Sequence, residues 1–148
     1  MKATHYILII TALLTMLFFY TGIEKVWYHT VFRIQLYKQP LPGWAKAVLE
    51  WGLPIGELAV TGLLVYPRTR RWGLWASVVM LLAFAGYTAY AASEPDGNVV
   101  CACGKLFSSL SWTAHFWVNM GFAALAAVGA VLYHRSIKTK QKEAAADG

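Results

Sequence analysis

Four apolar stretches, each close to the length that spans a lipid bilayer, constrain this chain more than any other feature. They run approximately over Tyr6–Gly22, Trp44–Tyr66, Trp72–Ala92 and Thr113–His134. A hydrocarbon layer ~30 Å thick takes about 20 residues of helix to cross. Inside it the backbone must satisfy its own polar groups, which a helix does within one segment. Charged residues are 14% of the 148, well under the quarter or so of an ordinary soluble domain, and they collect between the apolar stretches. The fold class is therefore an all-α integral membrane protein, a compact bundle of four transmembrane helices forming a single domain over residues 1–134. A basic, polar tail follows over 135–148, and no internal repeat is visible.

Lys2 precedes the first apolar run, as it would in a secretory signal. The run ends on the bulky "FFYTGIEK", with no small-residue cleavage site, and reads as an uncleaved helix. The formal net charge of +6 does not indicate a nucleic-acid partner, because the basic residues flank hydrophobic spans. Sorted by alternate sides, Lys2, Arg68, Arg70, Arg71, Arg135, Lys138, Lys140 and Lys142 face Lys25, Arg33, Lys38, Lys46 and Lys105, eight against five. The bias predicts that both termini and the short "YPRTRRW" turn are cytoplasmic. The loop over 93–111, which holds both cysteines, would then lie on the periplasmic side of a bacterial inner membrane, where disulfides persist. The lipid bilayer is thus the first partner of the chain.

Several finer expectations concern packing. Ile23, Val26, Trp27, Val31 and Ile34 recur at helical spacing, so the first helix continues past the membrane or bends along its surface until Pro40 and Pro42 end it. Pro54 deprives the carbonyl of Glu50 of its usual partner and predicts a kink. Gly52 and Gly56 form a small-xxx-small pair, and Ala83, Ala85, Gly86 and Ala89, then Gly121, Ala123, Ala124, Ala126 and Ala127, offer further close-packing faces.

Few residues can carry chemistry. Glu50 and Glu57 are two helical turns apart and share a face. Glu50 falls near a membrane boundary and Glu57 deeper, where an ionisable group must be paired, protonated or wetted. Glu57 is a candidate proton relay or polar end for a quinone; the plainer alternative is a protonated carboxyl bonded to a neighbouring helix. His115 and Asn119 lie one turn apart at the start of the fourth span, behind Ser111 as a helix cap. A histidine there can raise the thiolate fraction of a nearby cysteine or act as general acid or base. It can equally do no more than bond a neighbouring helix.

Cys101 and Cys103, the only cysteines, are separated by one alanine, and His115 follows twelve residues after the second. A disulfide between them would close almost no loop and would add little chain-entropy stabilisation. A strained, exposed bond of that kind suits exchange better than structure. Two thiolates and His115 would also suit Cu(I) or zinc, although structural zinc ordinarily takes four ligands, so no metal site is assigned. Non-catalytic thiols are the third alternative.

Gly-Ile-Glu-Lys at the end of the first helix, Pro54 and Glu57 in the second, and "CACG" followed by "SLSWTAH" resemble MauE/DoxX-type redox-associated membrane proteins. The resemblance covers about Tyr6 to His134, and its most specific part is Cys-x-Cys-Gly leading into Ser-Trp-x-x-His. It implies a role in periplasmic disulfide formation alongside a thioredoxin-like partner, with Cys101 and Cys103 as the thiol pair. A looser likeness links the chain to the four-helix disulfide-generating enzymes DsbB and the vitamin K epoxide reductases, which pair a Cys-x-x-Cys with a quinone. This chain has Cys-x-Cys and no second pair, so a partner supplies the other thiols or the single pair meets quinone directly.

The expectation is an inner-membrane protein that exchanges thiol and disulfide equivalents with a thioredoxin-like or other envelope protein. Cys101 and Cys103 cycle, His115 tunes them, and Glu57 and Asn119 face a quinone. The competing expectation is a non-enzymatic scaffold subunit of an envelope complex.

Overall fold

The structure, a computed structural model, describes residues 2–93 and 111–146. Five helices make it up: α1 (Lys2–Trp27), α2 (His29–Tyr37), α3 (Gly43–Val65), α4 (Arg70–Ser93) and α5 (Trp112–Ala146). All but α2 are long and apolar enough to cross a membrane. They run up and down in sequence order, and the bundle closes on itself: α1 packs on α3, α3 on α4, α4 on α5, and α5 back on α1. The termini and the turn between α3 and α4 share one end. The other end carries α2, the close of α4 and the start of α5.

The helices outrun the apolar stretches. The first continues to Trp27, is interrupted at Tyr28 (φ −104°, ψ 39°) and resumes as α2. The helix thus extends beyond the apolar stretch, with a break at Tyr28. α2 buries Phe32 and Leu36 and leaves Arg33 and Ile34 exposed, a narrow inner stripe on a surface helix. Pro42 precedes α3 in an extended conformation, and α3 then runs unbroken through Pro54.

Ile10, Leu14 and Phe18 of α1 meet Val60 and Leu64 of α3, Leu74 and Leu81 of α4, and Ala123, Ala126 and Ala130 of α5 in one apolar core. Hydroxyls within the helices return to their own backbone. Thr11 donates to Ile7 O, Thr61 to Glu57 O and Ser77 to Gly73 O, so these groups enter the bundle already satisfied. The carbonyls left open at the end of α3 are taken by the Thr69 hydroxyl on Leu63 and the Arg70 guanidinium on Leu64.

Ala85 of α4 and Ala123 and Ala126 of α5 are buried, as their small-residue faces predict, but the Gly52 and Gly56 pair does not mark the tightest contacts. Among the described residues, Gly52 meets only Val48 of its own helix and nothing lies near Gly86 or Gly121, whereas Gly56 faces Met80. The tight contacts belong to Gly73, against the backbone of Leu63 and Leu64, and Gly129, against Ile10. Two glycines four apart mark a helix face but not the direction in which that face points, which the other helices decide.

Ser111 caps α5: its hydroxyl accepts from Ala114 N at 3.2 Å, and its carbonyl accepts from His115 N. Ser111→Ala should cost about 1 kcal/mol, read as a lower unfolding midpoint in detergent. A serine-like stability for the alanine variant would mean that water caps this end equally well.

Candidate intramembrane site

The inner face of α1 repeats at helical spacing through Ile7, Ile10, Leu14, Phe18 and Thr21, and the next position in that series is Lys25. The series carries Lys25 into the bundle, where it is 6% exposed. Gly22, which sits against Glu57 Cβ and Leu58, lets α1 come close to α3 at this level. The Lys25 ammonium donates to both carboxylate oxygens of Glu57 at 3.0 Å and to the carbonyl of Thr21 at 3.2 Å. Glu57 is 1% exposed. Of the conditions that let an ionisable group sit at this depth, paired, protonated or wetted, the structure shows a partner, Lys25 of the neighbouring helix. Lys25, counted from the sequence among loop charges, is corrected to a buried helix residue. The inner face of α1 extends past the end of its apolar stretch and takes Lys25 with it.

Glu50, expected where solvation costs little, is also largely buried. It shares the face of Glu57 as its spacing requires, yet serves a different cluster. Glu50 lies 3.2 Å from His29 Nε2 and 3.6 Å from Arg33 Nε, and His29 stacks on Trp51 with ring centroids 4.4 Å apart. This group ties α2 to α3.

Between the helices lies a cavity of about 690 Å³, within the range typical of small-molecule sites. Its walls are mostly apolar, including Leu17, Val60, Met80, Phe84 and Phe122, and its polar groups include Lys25, Glu57, Gln39, Tyr87, His115 and Asn119. His115 is buried and Asn119 half-buried. Three of the sequence candidates, Glu57, His115 and Asn119, are thus brought to one space by two different helices. Cys101 and Cys103 lie outside the described residues, and with them the metal reading that joined both thiols to His115.

Sequence reasoning missed three residues of the site. Lys25 was legible from the helical series above. Gln39 and Tyr87 were not: the Tyr87 hydroxyl meets the Gln39 side chain across 48 positions of sequence, and Gln39 also donates to Gln35 O. Tyr87 in turn packs edge-on to Trp112, whose ring neighbours that of His115 at 6.5 Å. The linker after α2 is thereby fixed over the same end of the cavity at which α5 begins.

Such an arrangement can place a hydrogen-bonding head beside a neutralised ion pair and an apolar body among aliphatic and aromatic side chains. Comparison with known proteins gives one family match, described as "Methylamine utilisation protein MauE", over residues 3–132. No curated relative and no solved structure matches.

Proposed function

We propose, from the premise that this chain belongs to the methylamine utilisation MauE family, that it is a redox protein of the bacterial inner membrane acting through Cys101 and Cys103. The loop holding them faces the periplasm and exchanges thiol and disulfide equivalents with a thioredoxin-like or other envelope protein. When Cys101 and Cys103 pass from dithiol to disulfide they release two electrons and two protons. A membrane quinone takes up both and becomes the quinol, which balances the step. His115 and Glu57, which both line the cavity, are the groups assigned to hold or pass those protons.

The observation that carries the reading is the meeting of Glu57, His115 and Asn119 in one cavity at the end of the bundle where α4 stops and α5 begins. The segment bearing both cysteines joins those two helix ends. Serine at either cysteine is expected to abolish disulfide formation in the partner while membrane insertion and thermal stability stay at wild-type values. A Cys103→Ser or Cys101→Ser chain should instead accumulate as a mixed disulfide, seen as a reducible mass shift in intact cells. Full activity in both serine variants would end the redox account.

One observation favours the second reading, a scaffold subunit. The face of α3 bearing Val48, Gly52 and Ile55 is exposed, and among the described residues Gly52 touches no other helix. That face is free to receive a helix of another membrane protein. Loss of complex assembly in Gly52→Leu, with both cysteine variants unaffected, would decide for the scaffold.

A further inference from the structure

Asn119 stands apart from the other polar groups of the cavity. Tyr87 and Gln39 bond each other, and the Lys25 ammonium is fully engaged by Glu57 and Thr21. Among the described residues, the Asn119 carboxamide makes no hydrogen bond, although it belongs to a helix that crosses the membrane and lines the cavity. A carboxamide in an apolar setting is costly unless a partner satisfies it. Unlike the threonines and serines of the bundle, it has not turned back onto its own helix. Its position suits a polar atom supplied by something in the cavity.

The chemistry of that occupant follows from the surrounding charges. Lys25 and Glu57 already neutralise each other, so a carboxylate or phosphate entering the cavity would bring an uncompensated charge into a low-dielectric space. A neutral head that accepts hydrogen bonds fits. Lys25 contacts both oxygens of Glu57 at the same 3.0 Å; giving up one of these contacts frees an N–H while the pair remains intact. Asn119 on α5 and Lys25 on α1 thus offer two donors from different helices. Leu17, Val60 and Phe122 continue the cavity as apolar wall, which suits a flat ring and a hydrocarbon chain.

We propose that this cavity is the seat of a membrane quinone, with one carbonyl oxygen of the head accepting from Asn119 and the other from Lys25. The inference rests on the reading above in that it names where the electron acceptor binds. It concerns binding alone, however, and does not require the cysteines.

The test uses the full chain in lipid nanodiscs with decylubiquinone as probe, followed by quenching of tryptophan fluorescence and by the shift in unfolding temperature. Saturable binding is expected in the wild type and equally in a Cys101→Ser/Cys103→Ser chain, so that failure of thiol exchange and failure of this site are told apart. Asn119→Leu is expected to weaken binding about tenfold, the scale of one well-made hydrogen bond. Because Asn119 makes no hydrogen bond among the described residues, the same substitution should leave the ligand-free unfolding temperature unchanged or raised. Lys25→Gln, which keeps a donor, should bind more tightly than Lys25→Met. Absence of binding in the wild type would overturn the proposal, as would equal affinity in Asn119→Leu. Equal affinity for decylbenzene, which has the ring and chain but no carbonyl, would overturn it as well.

Discussion

Glu57→Leu alone is expected to lower the stability of the bundle by about 3–5 kcal/mol, whereas Lys25→Met/Glu57→Leu together should recover most of that loss. The reason is the asymmetry of buried ion pairs. Removing one member strands a full charge in a poorly solvated place, while replacing both with apolar residues of similar volume is often neutral or stabilising. Lys25 is 6% exposed, and after loss of the carboxylate it keeps uncharged contacts among the described residues, the carbonyl of Thr21 and the Phe32 ring 5.9 Å away. Unfolding by sodium dodecyl sulfate titration of the single and double variants measures both quantities on one scale. A single variant as stable as the double would mean that the ammonium is not stranded, and the pair would lose its structural role.

The second large effect is steric. Alanine at Gly73 would place its Cβ 2.8 Å from backbone atoms of both Leu63 and Leu64. Backbone cannot rotate aside as a long side chain can, so α3 and α4 must separate beside Leu64 and Leu74, both fully buried. Overpacking of this sort costs about 1–3 kcal/mol. It opposes the gain of about 1 kcal/mol that alanine otherwise has over glycine in a helix, so the clash wins. Gly121→Ala and Gly86→Ala, where nothing lies within 4 Å of the added atom, keep only the gain and should be neutral or slightly stabilising. Gly73→Ala measuring as stable as Gly121→Ala would show that the α3–α4 contact yields freely.

Membrane helices are easy to read from sequence because one requirement, about 20 apolar residues in a row, acts locally. The Ser111 cap was legible for the same reason, since its partner is three residues away. Lys25 shows where locality fails. Its charge argues for the loop, its spacing from Phe18 and Thr21 argues for the inner face, and only the carboxylate 32 residues later makes the second argument win. Glu57 could be recognised as unusual without its partner being identified. Gln39 gave no signal at all, because a glutamine between a tyrosine-lysine pair and two prolines looks like linker until Tyr87 is brought to it. The glycines divide similarly: of the Gly52 and Gly56 pair only Gly56 meets another helix, at Met80, and the tightest contacts fall to Gly73 and Gly129, because the pattern says nothing of rotation about the helix axis.

The ring order of the helices also has a kinetic side. Each spanning helix packs on the next one made, α1 on α3, α3 on α4 and α4 on α5, so these pairs can dock as they leave the insertion machinery, at a lower loop-closure cost than a contact between the first and last helices. The contact of α1 with α5 is different. Ile10 cannot meet Gly129 until the last helix has been made and turned inward. Until then the inner face of α1, with its lysine, is shielded on the α3 side only. The lateral gap between first and last helices is the final seam of the molecule, and synthesis from the N-terminus ensures that it closes last.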